Sequence, residues 1–260
     1  MTILDKITAY KTLEVNARKK AIPVSLFKEH AHFERTCLSF SQALRDSKTG
    51  IIAEHKRRSP SKAVINDRSA LPDVVQGYEK AGASALSVLT DTRFFGGSLD
   101  DLLLARDLVS IPILRKEFIV DPYQIYEAKA YGADAILLIA ACLSTGQLQE
   151  FTAVARSLGL EVLLEVHNET ELERSLNTGA HLLGVNNRNL KTFEVSIETS
   201  KKLAALIPDS LVSVSESGIS TIQAIEALRH FGYKGFLIGE HFMKTTDPGE
   251  SATNFIADLS

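Results

Sequence analysis

A (β/α)8 TIM barrel with an N-terminal helical extension is the fold this sequence predicts, on three observations. The first is a repeat. Ala81-Gly-Ala-Ser-Ala-Leu-Ser-Val-Leu, Tyr131-Gly-Ala-Asp-Ala-Ile-Leu-Leu-Ile, Thr178-Gly-Ala-His-Leu-Leu-Gly-Val and Phe231-Gly-Tyr-Lys-Gly-Phe-Leu-Ile share one form. Each joins a helix tail, a glycine suited to a left-handed cap and an apolar strand. The second is a further short apolar run between successive repeats, at residues 51–53, 111–114, 162–166 and 211–214, which brings the strands to eight. The third is a helical pattern after every strand. Eight β-then-α units in roughly 210 residues match the closed barrel. An open doubly wound sheet is the alternative, and it lacks a GxGxxG turn after the first strand.

Taken in order, Ile3, Leu4, Ile7, Tyr10, Leu13 and Ala17 recur at helical spacing, with Asp5, Lys6, Lys11, Glu14 and Arg18 between them. That pattern predicts an amphipathic helix over residues 2–20, its apolar residues turned inward. Pro23 ends it. Residues 21–49 read as irregular with one short helix at 40–46, so residues 1–49 form an extension and the chain is one barrel domain over 1–260. Helices are predicted at 71–81, 99–108, 122–131, 145–158, 169–177, 196–206, 221–229 and 248–259. Asp121-Pro122 opens the third of these, the Asp as N-cap and the Pro in the first turn. The strands are nearly continuous apolar runs because a parallel sheet is covered on both faces.

Bulk properties narrow the function classes. Of 260 residues 45% are hydrophobic, enough for a large core, and the net charge of -3 offers no basic field for nucleic acid or an anionic membrane. Cys37 and Cys142 are far apart and outside any CxxC, which speaks against a disulfide framework or a zinc site and for reduced thiols in a cytoplasmic protein. The longest apolar run, 135–143, is too short to span a bilayer. The start, Met1-Thr-Ile-Leu-Asp-Lys, lacks the apolar core of a signal peptide.

In a barrel the chemistry gathers at the carboxyl ends of the strands. The first strand runs into Glu54-His55-Lys56, where alternation puts Glu54 and Lys56 on one side and His55 on the other. The third ends in Arg115-Lys116-Glu117-Phe118. The fifth holds Glu165 inside an apolar run, the sixth ends at Asn186 with Arg188 beyond, and the seventh ends in Ser215-Glu216-Ser217-Gly218. Each alone reads as a solvated or capping residue. Together Glu54, Lys56, Lys116, Glu165, Asn186 and Glu216 point into one mouth, where burying so many charges is costly unless they pair or serve. Ser217-Gly218 and Gly239-Glu240 precede helical segments and leave backbone N–H groups free, a phosphate cradle in its usual place after strands seven and eight. His55, His167 and His241 lack ligand spacing, so no metal site is predicted.

The runs AEHKRRSPS, LSVLTDTRFFGGS, ILRKEFIVDPYQIYEAKAYGADAILLI, LLEVHNETELE, GVNNRNLKTFEV, VSESGI and LIGEHFM together resemble the indole-3-glycerol-phosphate synthase family of tryptophan biosynthesis. So does LDKITAYKTLEVNARK, which resembles that family's extra helix before the barrel. The resemblance implies ring closure of 1-(2-carboxyphenylamino)-1-deoxyribulose 5-phosphate to indole-3-glycerol phosphate with loss of CO2 and water, without cofactor or metal. It puts Lys116 in the role of the acid at the substrate carbonyl, which calls for burial or a neighbouring cation to lower its pKa toward neutrality. Arg115 is a candidate for that cation if it turns inward, with Glu54 nearby opposing the shift. It assigns Lys56 to the substrate carboxylate or phosphate, with Glu54 positioning it. Glu165 serves the dehydration, its division of acid and base work with Lys56 and Glu54 left open. Glu216 and Asn186 fix sugar hydroxyls and the lysines, and Arg188 buttresses Glu216 or the substrate. Ser217, Gly218, Gly239 and Glu240 offer amides to the phosphate, the Glu240 side chain pointing away. Phe95, Phe118, Pro60 and Leu137 wall the aromatic ring, with Ser59 beside them as a substrate contact.

Two departures from the family pattern stand out. The family often carries a substrate-touching aromatic in the N-terminal helix; this chain has no Trp, and Tyr10 is the residue available there. An acidic residue follows Gly239 where a small hydroxyl residue is expected. The partner implied is a phosphorylated anthranilate-derived small molecule acting on a monomer or weak homo-oligomer, with a pathway partner left open. The rival enzyme class uses a strand-end lysine as a Schiff-base nucleophile. A phosphoribosylanthranilate isomerase is disfavoured because its strand-end cysteine and aspartate are not evident. The non-enzymatic alternative is a phosphosugar sensor, which predicts lost strand-end charges.

Overall fold

In the computed structural model, which describes residues 2–190 and 192–259, eight parallel strands close in sequence order, β1 hydrogen-bonding to both β2 and β8. The extension comprises α1 (Ile3–Ala21), α2 (Val24–Phe27) and α3 (Phe40–Asp46). The barrel follows as β1 (Ile51–His55), α4 (Leu71–Lys80), β2 (Ala85–Leu89), α5 (Thr92–Phe95), α6 (Leu99–Leu108), β3 (Ile113–Lys116), α7 (Tyr123–Ala130) and β4 (Ala135–Ile139). Its second half is α8 (Thr145–Ser157), β5 (Glu161–Val166), α9 (Glu169–Glu173), β6 (Leu182–Asn186), α10 (Glu198–Ala204), β7 (Val212–Glu216), α11 (Ile222–His230), β8 (Gly235–Ile238), α12 (Glu240–Met243) and α13 (Pro248–Ala257).

The repeat rests on its glycines: Gly82, Gly132, Gly179 and Gly232 all have positive φ, between 80° and 91°, the conformation that ends a helix and turns the chain back to the sheet. Strand ends depart from the apolar runs for two reasons. β1 and β7 continue through charged residues to His55 and Glu216, because ladder pairing persists where hydrophobicity stops: Glu54 lies opposite Ser87, and Asn186 opposite Glu216. β3 begins at Ile113 rather than 111 because Pro112 has no N–H to give the ladder. Asp121 does not occupy the N-cap of α7, which is Pro122; its carboxylate instead accepts from Tyr123 N at 2.9 Å, one position further along.

Two apolar clusters divide the strand residues by parity. Ile52, Ala85, Leu114, Leu137, Leu163, Leu182 and Val214 fill the barrel, and Phe40 and Leu44 of α3 stopper its amino end. Ile51, Ala53, Val88, Ile113, Leu138, Leu164 and Val185 face the helical shell. Continuing the inward parity beyond the apolar layers reaches Glu54, Lys56, Lys116, Glu165, Asn186 and Glu216.

The face of α1 differs from expectation. Ile7, Lys11 and Val15 are its buried residues, whereas Leu13 is 71% exposed and Tyr10 is exposed as well. The helix packs against charge. Lys11 Nζ lies 2.9 Å from Asp91, 3.1 Å from Glu14 and 3.3 Å from Glu117, and Lys19 reaches Asp121 at 2.8 Å. Burial by itself would lower the Lys11 pKa, but these carboxylates raise it, so the ammonium is retained.

Candidate active site

At the carboxyl end of the barrel lies a cavity of about 440 Å³. Its floor is a charge cluster. Lys116 Nζ is 2.7 Å from Glu216 Oε2, 3.7 Å from Glu54 and 3.9 Å from Glu165, while Lys56 Nζ bonds Glu54 at 2.8 Å. All of the predicted site residues border this cavity, including Ser59, Pro60, Phe95, Phe118, Leu137, Asn186, Arg188, Ser217, Gly218, Gly239 and Glu240. The rings of Phe95 and Phe118 stand 5.8 Å apart, tilted by 35°, and make an aromatic wall.

Two glycines make room for the carboxylates. A Cβ on Gly184 would lie 2.2 Å from Glu216 Oε1, and one on Gly239 would lie 2.6 Å from Glu54 Oε1. Gly239 therefore serves close packing, its φ of -119° being open to any residue. Ser217 and Gly218 have φ of 68° and 76°, and a Ser held there stores about 1–3 kcal/mol of strain, of the kind that collects at ligand clamps. Asn187, 2% exposed, braces this turn by donating to Ser217 O at 3.1 Å and Ser215 Oγ at 3.0 Å. It went unflagged in the sequence because a lone Asn after a strand is indistinguishable from a cap.

Electrostatics corrects one expectation. Burial alone would bring Lys116 down toward neutrality, but Glu216, Glu54 and Glu165 outweigh it and hold the ammonium well above its ordinary range. The cluster carries more carboxylate than ammonium, and the excess falls on Glu216. Burial raises Glu216 to about 7, with repulsion from Glu165 and Glu54 adding to it against the pull of Lys116. Burial also opposes ionisation of Glu165, yet His167, Lys116 and the Asn186 amide hold it at about 2. Glu54 is lowered by Lys56 and Lys116 in spite of burial.

Arg115 is not the inward cation. It faces the helical shell, fully buried, with Nη2 on Glu127 at 2.7 Å, Nη1 on Gln124 O at 2.7 Å and Nε on Thr90 Oγ1 at 3.1 Å. Strand alternation requires this once Lys116 faces inward. Arg188 does not buttress Glu216 either: its Nη1 is directed at Phe193 O, and its backbone N–H at Asn186 Oδ1. Tyr10 stacks edge-on with Phe94 outside the cavity, and Ile3, Leu4 and Ile7 are the α1 residues that border it. The Glu240 carboxylate pairs with Lys62 at 2.9 Å, which ties the loop after β1 to α12. His55 lies outside the cavity, unpartnered and lowered to about 4 by burial, whereas His241 borders it, and no cluster of three or more metal-ligating side chains exists among the described residues. Among the same residues no helix is long and apolar enough to cross a membrane.

Barrel, aromatic wall and mouth-facing lysine–carboxylate cluster define a (β/α)8 enzyme built for acid–base chemistry. Solved structures agree on the fold. The tryptophan synthase complex from Pyrococcus furiosus superposes with a TM-score of 0.61 over 81% of this chain and 97% of that one, at 16% identity. Residues 4–255 match the family described as indole-3-glycerol phosphate synthase. The protein of that name from Bacteroides thetaiotaomicron is 50% identical over 98% of this chain and 97% of its own. Its counterpart from Laribacter hongkongensis is 44% identical, covering 98% and 99%. The chain belongs to the indole-3-glycerol phosphate synthase family, decarboxylating lyases of tryptophan biosynthesis.

Proposed function

We propose that this chain closes the pyrrole ring of 1-(2-carboxyphenylamino)-1-deoxyribulose 5-phosphate with Lys116 as the acid. The observation that carries the assignment is an ammonium at the centre of three carboxylates, 2.7 to 3.9 Å away, facing an aromatic-walled cavity. Those carboxylates keep the proton on Lys116 until oxygen charge builds on the substrate. The aryl carbon attacks the carbonyl carbon, and Lys116 protonates the oxygen as the bond forms. The ring is then an iminium, an electron sink of the substrate's own making. The carboxylate leaves as CO2 and its electron pair restores the arene. Water is lost last, by proton removal and protonation of the departing hydroxyl. Glu165, ionised and next to Lys116, suits the proton-accepting half, and Lys56 is the cation left to orient the substrate carboxylate.

Glu216 and Asn186 are assigned to the sugar hydroxyls and Arg188 to the substrate. The turns at Ser217-Gly218 and Gly239-Glu240 are assigned to the phosphate, and Lys62 keeps the Glu240 carboxylate engaged elsewhere. Phe95, Phe118, Pro60, Leu137 and Ser59 contact the ring. Residues 1–260 act as one barrel unit with 1–49 as its extension, in the cytoplasm, as a monomer or weak homo-oligomer. The unpaired state of both cysteines supports that location.

The test is fluorescence detection of indole-3-glycerol phosphate from the carboxyphenylamino substrate. Wild type is expected to turn over without added metal or nucleotide, and Lys116→Ala to lose about 10²–10⁴-fold in kcat with its circular dichroism intact. Normal turnover by Lys116→Ala overturns the assignment. Borohydride separates the rival lysine chemistry: substrate-dependent reductive labelling of Lys116 is the Schiff-base outcome, and no label is expected.

A further inference from the structure

Behind Glu165, on the side away from Lys116, stands a residue with no place in the steps above. His167 ends the run Glu165-Val166-His167, and parity brings its ring back to the face that carries Glu165. Nε2 makes no regular hydrogen bond and lies 3.3 Å from Glu165 Oε1. Nδ1 lies 3.0 Å from Glu171 Oε2 in α9. Glu171 is fixed in turn, because it accepts from the His167 backbone N–H at 2.8 Å and from Asn168 Nδ2 at 2.8 Å. The result is an unbroken line: Glu171, His167, Glu165, Lys116, Glu216.

We propose that His167 is a positioning residue for Glu165, fixing that carboxylate's rotamer and charge by bridging it to Glu171. The inference rests on the role assigned to Glu165 above. The reason is geometric. Glu165 has one oxygen toward Lys116 at 3.9 Å and the other toward His167, so without the ring only the Asn186 amide opposes the pull of Lys116 and the carboxylate can swing toward that ammonium. A ring flanked by two carboxylates retains both N–H groups. Burial by itself would lower the imidazole pKa, but Glu165 and Glu171 push it up to about 10. The side chain is 10% exposed and borders a second recess. The other charged groups there are Asp5 of α1 and Arg188 and Glu194 after β6; Cys142, in the turn after β4 and outside that lining, is kept protonated by burial and by Glu165, Glu171 and Asp5.

Three variants and one titration test this in the full chain. His167→Ala is expected to lower kcat roughly 10- to 100-fold through Glu165 misplacement while KM stays near that of wild type. The acid limb of its kcat profile moves to higher pH, since Glu165 returns toward an ordinary carboxylate pKa. Glu171→Gln is expected to move both in the same direction by less. In the imidazole NMR spectrum of the substrate-free wild type, His167 is expected to remain protonated past pH 8, and to titrate lower in Glu165→Gln. That titration holds even where a variant folds poorly. An inactive Glu165→Gln beside a His167→Ala of wild-type kcat and pH profile overturns the inference and leaves the Glu165 role standing, as does a wild-type His167 that titrates near 6.5. A fully active Glu165→Gln removes the Glu165 role itself, and this inference with it.

Discussion

Gly184→Ala isolates the geometry of the cluster without touching any charge. The added Cβ would lie 2.2 Å from Glu216 Oε1, where ordinary contact begins at 3.4 Å, so the carboxylate must retreat by the difference, 1.2 Å. Gly184 has no positive φ, so alanine meets no backbone strain in β6. The obstacle is the end of a flexible side chain, which keeps the folding cost at or below the usual 1–3 kcal/mol of overpacking. Catalysis has no such tolerance. A shift of that size breaks the 2.7 Å pair with Lys116, and a misplacement of roughly 1 Å costs on the order of 10²-fold. The assay is kcat by product fluorescence alongside a thermal melt: a small loss of Tm beside a loss of about 100-fold in kcat. If Glu216 is the route, Gly184→Ala adds little on a Glu216→Gln background, since coupled changes are not additive. Wild-type kcat in Gly184→Ala, or full additivity in the double variant, refutes the reasoning.

Lys11→Met leaves Asp91 and Glu117 buried without their ammonium, and removal of one member of a buried ion pair costs about 3–5 kcal/mol. Because Ile3, Leu4 and Ile7 of the same helix border the cavity, denaturant unfolding is expected to show that loss together with a raised KM. The pH dependence of stability follows from Glu216. Its folded pKa of about 7 exceeds the ordinary 4.5, so its contribution is complete below 4.5 and is lost as pH rises through 7. Urea midpoints at pH 4.5 and 8 are expected to differ less in Glu216→Gln than in wild type; equal differences contradict the assignment.

The barrel was legible because its signals are local and repeated. A glycine at each helix end and an apolar run after it state the βα unit four times over, and strand alternation assigns Glu54, Lys56 and Lys116 to one side. Where the reading failed, a neighbour distant in sequence decided the outcome. Periodicity put Lys11 on the wet face of α1 and Leu13 on the dry one. The reverse holds, because Asp91 and Glu117 lie 80 and 106 residues further on and accept that ammonium at the rim.

Residue types and spacing by themselves determined that a (β/α)8 barrel forms and that lysines and carboxylates converge on its mouth. Only the tertiary structure decided their charge states. Whether Lys116 loses its proton, or Glu216 keeps one, depends on how many carboxylates surround one ammonium and at what distance. Coulomb energy falls with separation in space, and separation along the chain carries no trace of it.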